Sequence, residues 1–336
     1  MKSDQRIVLA GGSGFLGRLL AEYFGRSSRR EEAHSSLNAK SEPPHVGCYE
    51  VAVLSRHVPR YAGPMRYVRW DGESPGDWVE ELNGACAVIN LAGRTVDCRY
   101  TTANRRLIMD SRVNSTRVLG EAIAKCAQPP KVWLNSSTAT IYRHTFGAAW
   151  DENGEIGTTL EAKDEFSVEV ARAWEQVFAD AATPETRKVA MRSAMVLGNY
   201  RNSVFPVLRR LVRFGLGGRM GSGRQFVSWI HAEDFCRAVE WLIEQEEFSG
   251  PVNFAAPNPL TNAEMMALFR RVCGAPFGAG LPATRWMLEA GAFLLRTETE
   301  LIIKSRRVVP SWLLHSGFEF RFPMMDMAVA NLATTG

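Results

Sequence analysis

The chain has 336 residues, 46% of them hydrophobic, and its 40 basic residues against 36 acidic ones leave a formal net charge of +4. That length suffices for a full α/β domain plus a smaller lobe, and so small a charge excess, with no aromatics interleaved among the basic residues, argues against a nucleic-acid binder. Six cysteines (Cys48, Cys86, Cys98, Cys126, Cys236, Cys273) form no Cys-x-x-Cys pair, which excludes a zinc knuckle or a disulfide framework; no metal site is expected.

The chain opens on Ile7-Val-Leu-Ala-Gly-Gly-Ser-Gly-Phe-Leu-Gly17, an apolar run breaking into Gly11-x-x-Gly14-x-x-Gly17. A strand-to-helix turn that holds a dinucleotide pyrophosphate needs this spacing: Gly11 for the tight turn, Gly14 for backbone approach to the phosphates, Gly17 for close packing of helix on strand. The helix start adds free N–H groups and positive dipole. Residues 26–47 then form a polar excursion, too long for an ordinary connection and expected as a mobile surface insertion. The next strand, Val51-Ala-Val-Leu-Ser-Arg56, ends without an acid. A carboxylate there would bond the ribose of NAD, whereas Ser55 with Arg56 suits the 2′-phosphate of NADP, so NADP(H) is the expected cofactor.

Strand-like runs at Val88–Ala92, Lys131–Asn135 and Val189–Val196 alternate with helical patterns at Arg112–Cys126 and Phe166–Ala181. That alternation predicts an α/β fold, a Rossmann doubly wound parallel sheet. Residues 1–200 are expected to form the NADP-binding domain and residues 201–336 a smaller C-terminal substrate lobe, some of whose elements return to the Rossmann core. The first strand begins almost at once and no apolar stretch reaches about 18 residues, so the expectation is a soluble cytoplasmic protein with neither signal peptide nor membrane span.

Taken in order, the Gly11–Gly17 turn, Leu54-Ser-Arg56, Asn90-Leu-Ala-Gly93, Asp110-Ser-Arg112, Ser136-Ser-Thr-Ala-Thr-Ile-Tyr142, Trp229-Ile-His231, Ser305-Arg-Arg-Val-Val-Pro310 and Gly317–Pro323 span the chain. In them it resembles the extended short-chain dehydrogenases/reductases, and among these the atypical epimerase-family oxidoreductases with a C-terminal DUF1731 segment. The resemblance implies cofactor contacts at Ser13, Phe15, Leu16, Leu91, Ala92, Gly93 and Val196 beside the glycines. It also implies a cofactor or substrate-anion contact at Arg112, where extended members commonly carry Asn. Thr138 matches the Ser/Thr that orients the substrate. The superfamily's Tyr-x-x-x-Lys dyad does not match: aligned through Trp174-Glu175, its positions fall on Phe166 and Val170, which have neither proton nor charge to offer. Tyr142, by strand parity with Thr138, is a candidate replacement, and Lys163 is another; His231 and Asp234 read as structural.

The expectation is an NADP(H)-dependent oxidoreductase acting on a small carbonyl or alcohol, with Thr138 and Tyr142 catalytic. Arg209, Arg210, Arg213, Arg219 and Arg224 form either a solvated face or a hold for an anionic substrate. The alternative is a protein that binds NADP(H) without turnover and senses redox state for a protein partner. Nucleotide-sugar epimerisation, which the family name suggests, ranks third because the dyad is missing.

Overall fold

The computed structural model describes residues 5–34, 49–58, 65–200, 202–284, 286, 287, 289 and 298–335. Its strands in chain order are β1 (Gln5–Ala10), β2 (Tyr49–Ser55), β3 (Arg66–Arg69), β4 (Ala87–Asn90), β5 (Val132–Thr138), β6 (Arg187–Ser193), β7 (Met195–Leu197), β8 (Phe226–Val227), β9 (Trp229–His231), β10 (Gly250–Phe254) and β11 (Leu260–Thr261). The helices of more than one or two turns are α1 (Phe15–His34), α2 (Thr102–Ile123), α3 (Glu165–Asp180), α4 (Val204–Arg213), α5 (Ala232–Glu244), α6 (Asn262–Cys273) and a last one at Met325–Thr334.

Seven strands form one sheet in the order β3-β2-β1-β4-β5-β6-β10, every neighbouring pair parallel. Side chains alternate across it: Ile7, Leu9, Val53 and Ile89 enter one core with Phe235 and Phe254, while Val8, Ala10, Leu54 and Val88 enter the other with Trp133 and Phe178. Burial on both faces is why the first strand reads as an uninterrupted apolar run rather than an alternating one. The strand order reverses between β1 and β4, and such a switch point opens a crevice at the carboxyl ends of the strands.

Three sequence expectations need adjusting. Helix α1 continues to His34, so residues 26–34 prolong a helix instead of beginning a surface excursion, and residues 35–47 lie outside the described residues. Helix α2 starts ten residues before Arg112, capped by the Thr101 side chain, which accepts from the Asn104 N–H. The run Val189–Val196 is not one strand. At Ala194 the backbone changes partners, its N–H going to Phe254 O while that of Met195 goes to Ser228 O, and β7 pairs with β9 instead.

Beyond that break, α4, α6 and the last helix enclose a separate core around Phe205, Met266, Phe269 and Val329, while α5 and β10 return to the main sheet. Among the described residues no helix is long and apolar enough to cross a membrane.

Candidate functional site

The turn after β1 is built as its glycines require. Gly11 has φ +85°, and a Cβ there would stand 2.7 Å from the backbone nitrogen of Ala92; one at Gly17 would stand 2.5 Å from Gly12 Cα. Both positions exclude a side chain through the protein's own backbone. Gly14 differs, since its Cβ would meet nothing nearer than Gly11 O at 3.8 Å. Nothing among the described residues forbids a side chain at Gly14, and the exposed backbone there leaves free the space a pyrophosphate needs. Arg18 Nε donates to Ser13 O at 3.0 Å and pins the loop from the first turn of α1. Gly12, which the glycine pattern left without a role, is fixed by packing: its Cβ would lie 2.1 Å from Val53 Cγ1.

Next to this turn, Gly11 N–H donates to Leu54 O, which sets the end of β2 beside it. Ser55 is buried there and its hydroxyl accepts from the His57 N–H at 3.4 Å, while Arg56 is exposed. A hydroxyl and a guanidinium at a strand end that lacks a carboxylate fit a phosphate and not a bare ribose diol.

On the other side of the switch point, buried Asn90 organises the loop after β4. Its amide donates to Asn135 at 2.7 Å and to Thr116 at 3.1 Å, and its carbonyl oxygen accepts from the Ala92 N–H at 3.0 Å. Trp174 closes the network by donating to Thr116 at 2.9 Å. Leu91, Ala92 and Gly93 are thereby held along a cleft of about 300 Å³ that Leu16, Arg112, Thr138, Phe166, Val170 and Trp174 also line. Thr138 is the last residue of β5, and its Oγ1 accepts from the Thr140 N–H at 3.1 Å. The hydroxyl proton has no acceptor among the described residues and is free to point at a ligand.

Arg112 is the cation of this cleft. Among the described residues its hydrogen-bond partners are two backbone carbonyls, those of Arg94 and Ile108, each 3.1 Å from Nη1, and no carboxylate. Its guanidinium lies over the Trp174 ring at 5.1 Å and against the Gly93 backbone. Burial pulls its pKa down to about 10. A desolvated guanidinium without a counter-charge gains from any anion that enters.

Phe166 and Val170 stand in the cleft wall, one turn apart on α3. Tyr142 does not reach it. Strand parity ends at Thr138 because residues Ala139–Ile141 form a 3₁₀ turn, which swings Tyr142 into the interior at 2% exposure. There its hydroxyl donates to Asn253 at 2.8 Å and accepts from Arg192 at 2.9 Å, and burial pushes its pKa up to about 12. Tyr142 is part of a buried network, not the replacement proton donor that its spacing suggested. Lys163, in the left-handed region at φ +52°, lines a neighbouring cavity of about 330 Å³. Val196 is half-buried on β7 and packs on the main core, outside the cleft lining. Arg219 donates to Ser222 O and Arg224 lies over the Phe146 ring; none of the five arginines of that stretch lines the cleft. His231 and Asp234 join α5 to the C-terminal segment, Asp234 accepting from the Arg321 and Phe322 N–H groups.

Sequence reasoning missed the contribution of the tail. Lys304 is fully buried, ion-paired with Asp164 at 2.5 Å and donating to Thr140 O at 2.6 Å, and Arg306 Nε donates to Thr140 Oγ1 at 3.1 Å. Two cations more than 150 residues away thus brace the turn behind Thr138. The only local signal was the Ser305-Arg-Arg run itself, which says nothing of its partner.

The profile of the NAD dependent epimerase/dehydratase family matches residues 7–254, and that of DUF1731, a domain of unknown function, matches residues 283–332. Epimerase family protein Mb2239 of Mycobacterium bovis is 30% identical over 329 residues, covering 98% of this chain and 97% of that protein. Human epimerase family protein SDR39U1 is 29% identical over 334 residues, covering 97% and 99%. The crystal structure of human SDR39U1 (isoform 2) with NADPH is similar at a TM-score of 0.79 and 26% identity, covering 98% of this chain and all of that one. A nucleoside-diphosphate sugar epimerase from Corynebacterium glutamicum gives 0.71 at 26% identity, over 99% of this chain and 59% of that one. With that fold, that glycine turn and matches over nearly the whole sequence, the chain belongs to the NAD dependent epimerase/dehydratase family and carries the DUF1731 domain at its C-terminal end.

Proposed function

We propose that this protein is an NADP(H)-dependent oxidoreductase of the atypical short-chain dehydrogenase/reductase type, acting on a small carbonyl or alcohol substrate. The observation that carries the proposal is that Thr138, Arg112 and the Leu91-Ala92-Gly93 segment line one cleft beside a dinucleotide turn. The turn Gly11, Ser13, Gly14, Phe15, Leu16 and Gly17 would hold the pyrophosphate, and Ser55 with Arg56 the 2′-phosphate. Leu91, Ala92 and Gly93 would flank the rest of the cofactor. The human relative described with NADPH supports this choice of cofactor.

Bound there, the cofactor supplies or accepts a hydride. Thr138 donates a hydrogen bond to the substrate oxygen and fixes its orientation. Phe166, Val170 and Trp174 keep water from the reacting carbon, which strengthens every polar interaction inside the cleft. Arg112 holds an anionic group, of the substrate or of the cofactor, by its free guanidinium edge.

A second reading, a sensor that binds NADP(H) without turnover and signals to a protein partner, is favoured by Phe166 and Val170 standing where the superfamily's proton donor and its cation would be. The same two residues count against nucleotide-sugar epimerisation. The deciding experiment measures deuteride transfer from labelled NADPH to a panel of carbonyl compounds, with wild type and Thr138→Ala, alongside titration of NADPH and NADH against wild type and Arg56→Ala. Charge-assisted bonds to the 2′-phosphate contribute about 1.5–3 kcal/mol, a preference of roughly ten- to a hundredfold for NADPH that Arg56→Ala should erode. Transfer that drops at least about tenfold in Thr138→Ala is the enzymatic outcome. Tight NADPH binding with no transfer to any compound would favour the sensor, and equal affinity for the two cofactors would end the NADP assignment.

A further inference from the structure

A phenol reaches the cleft from a different element than the one that lost it. Tyr100 closes the segment between Gly93 and α2, and its ring packs edge-on against Phe166 with centroids 4.9 Å apart at 69°. Both rings line the cavity that holds Thr138 and Arg112. The backbone of Tyr100 is fixed on both sides, its N–H donating to Glu298 at 2.8 Å and its carbonyl accepting from Arg105 Nε at 3.0 Å. Its phenol faces the Ser167 side chain, which lines the same cleft and whose Oγ donates to Glu300 Oε2 at 2.9 Å. Glu300 is 7% exposed, and its second oxygen has no hydrogen-bond partner among the described residues. It lines the neighbouring polar cavity of about 330 Å³, as does Tyr100 itself. A phenol, a hydroxyl and a carboxyl thus run in series from one cavity to the next.

Two guanidinium groups, those of Arg112 and Arg306, lie within electrostatic reach of the phenol, where they would favour its ionised form as the ammonium of the missing dyad would. The chain's other charges act the opposite way on it: Glu300, Cys98 and Glu298 raise its pKa, which burial has already pushed up to about 12, against the Ser167 bond that lowers it. Burial also raises the pKa of Glu300, with Asp164 adding to the shift while the Ser167 bond, Arg306 and Lys304 oppose it. The neutral phenol has a proton to give, and the Glu300 carboxyl stands one hydroxyl away from it.

We propose that Tyr100 is the catalytic proton donor of this cleft, resupplied through Ser167 and Glu300. The proposal rests on the oxidoreductase reading. In the reductive direction the carbonyl carbon gains a hydride from the reduced nicotinamide, the carbonyl π pair moves onto oxygen, and that oxygen takes the Tyr100 proton as the phenol O–H bond breaks. The phenolate takes the Ser167 proton as that hydroxyl turns from Glu300, and Ser167 is reprotonated in the same motion by a solvent proton (H₃O⁺) that the Glu300 carboxylate takes up and passes on. The substrate gains two electrons and two hydrogens; the nicotinamide loses two electrons and one hydrogen.

The test uses full-length protein with the deuteride assay, Tyr100→Phe and Ser167→Ala, and an NADPH titration of each. Tyr100→Phe should lower turnover by at least about tenfold, the scale of a positioned acid, at unchanged NADPH affinity. Ser167→Ala should lower turnover less and displace the alkaline limb of the pH–rate profile, which a merely structural role would not move. Independently of turnover, ¹³C-labelled tyrosine NMR should show the Tyr100 phenol titrating at lower pH in Glu300→Gln than in wild type. Wild-type transfer that survives Tyr100→Phe overturns this inference alone, and a phenol titration untouched by Glu300→Gln overturns the relay. Absence of transfer by wild type to every compound overturns the oxidoreductase reading and this inference with it.

Discussion

Replacing Lys304 by Met tests whether the C-terminal segment braces the cleft. Lys304 and Asp164 are both 0% exposed and 2.5 Å apart, and Asp164 has one other bond, from the Thr159 N–H at 2.9 Å. Removing the ammonium strands a buried carboxylate and leaves Thr140 O without a donor it now has at 2.6 Å; breaking such a pair from one side costs about 3–5 kcal/mol. The carboxylate has one escape, to take a proton, which at pH 7 costs about 4 kcal/mol for an aspartate of ordinary acidity, and the two figures agree. With about 2.1 cal/mol/K of unfolding entropy per residue over 336 residues, a loss of that size lowers Tm by about 6 °C.

The escape also sets the sign with pH. The stranded carboxylate has a raised pKa in the folded variant, so the variant recovers about 1.4 kcal/mol for each unit of pH lost towards the ordinary aspartate range, and its deficit against wild type is largest at neutral pH. Calorimetric Tm of wild type, Lys304→Met and Lys304→Met/Asp164→Leu at pH 7.0 and 5.5 reads both effects. The double variant should be more stable than the single one, with a coupling on the order of 2 kcal/mol. A Lys304→Met protein within 1 °C of wild type at pH 7, or a deficit that does not change with pH, would refute the reasoning.

Two further outcomes are expected. Gly14→Val should still fold, because the Cβ it adds meets nothing closer than 3.8 Å, and should lose NADPH binding because the side chain occupies the space of the pyrophosphate; an NADPH titration indistinguishable from wild type would move the cofactor elsewhere. His231 accepts from the Glu233 N–H and His144 from the Ser305 N–H, each through Nδ1, and burial holds both imidazoles below their ordinary range, with Asp234 and Glu233 opposing at His231 and Glu161 and Asp164 at His144. The unfolded chain therefore takes up protons that the folded one refuses, and stability falls as pH drops below about 6.5. His144→Asn/His231→Asn should flatten that slope between pH 7.5 and 5.5, and an unaltered slope would contradict the assignment.

What could be read from the residues was what neighbouring residues enforce on each other. Gly11 needs a positive φ and Gly17 a bare Cα, so the dinucleotide turn is written within one short stretch, and the buried strands announce themselves because a sheet covered on both faces admits little but apolar side chains. Alignment through Trp174 likewise set Phe166 and Val170 in the cleft wall, since a helix carries its register from one turn to the next. Reading failed where register was interrupted or where contact spans the chain. Tyr142 was projected along a strand that ends four residues earlier, and a single 3₁₀ turn sent its hydroxyl to Arg192 and Asn253. Tyr100 sits in a segment of no periodicity and Lys304 in a short run between turns, and the partners that give them meaning, Phe166 and Asp164, lie far along the chain. Their meaning comes from α3, where a helix that lost its phenol and its ammonium is packed by a phenol from before α2 and flanked by cations from the tail. Loss of the dyad at Phe166 and Val170 is therefore weak grounds for calling the cleft inert: groups of the same chemical kinds stand around it, supplied by segments that a motif search on α3 does not reach.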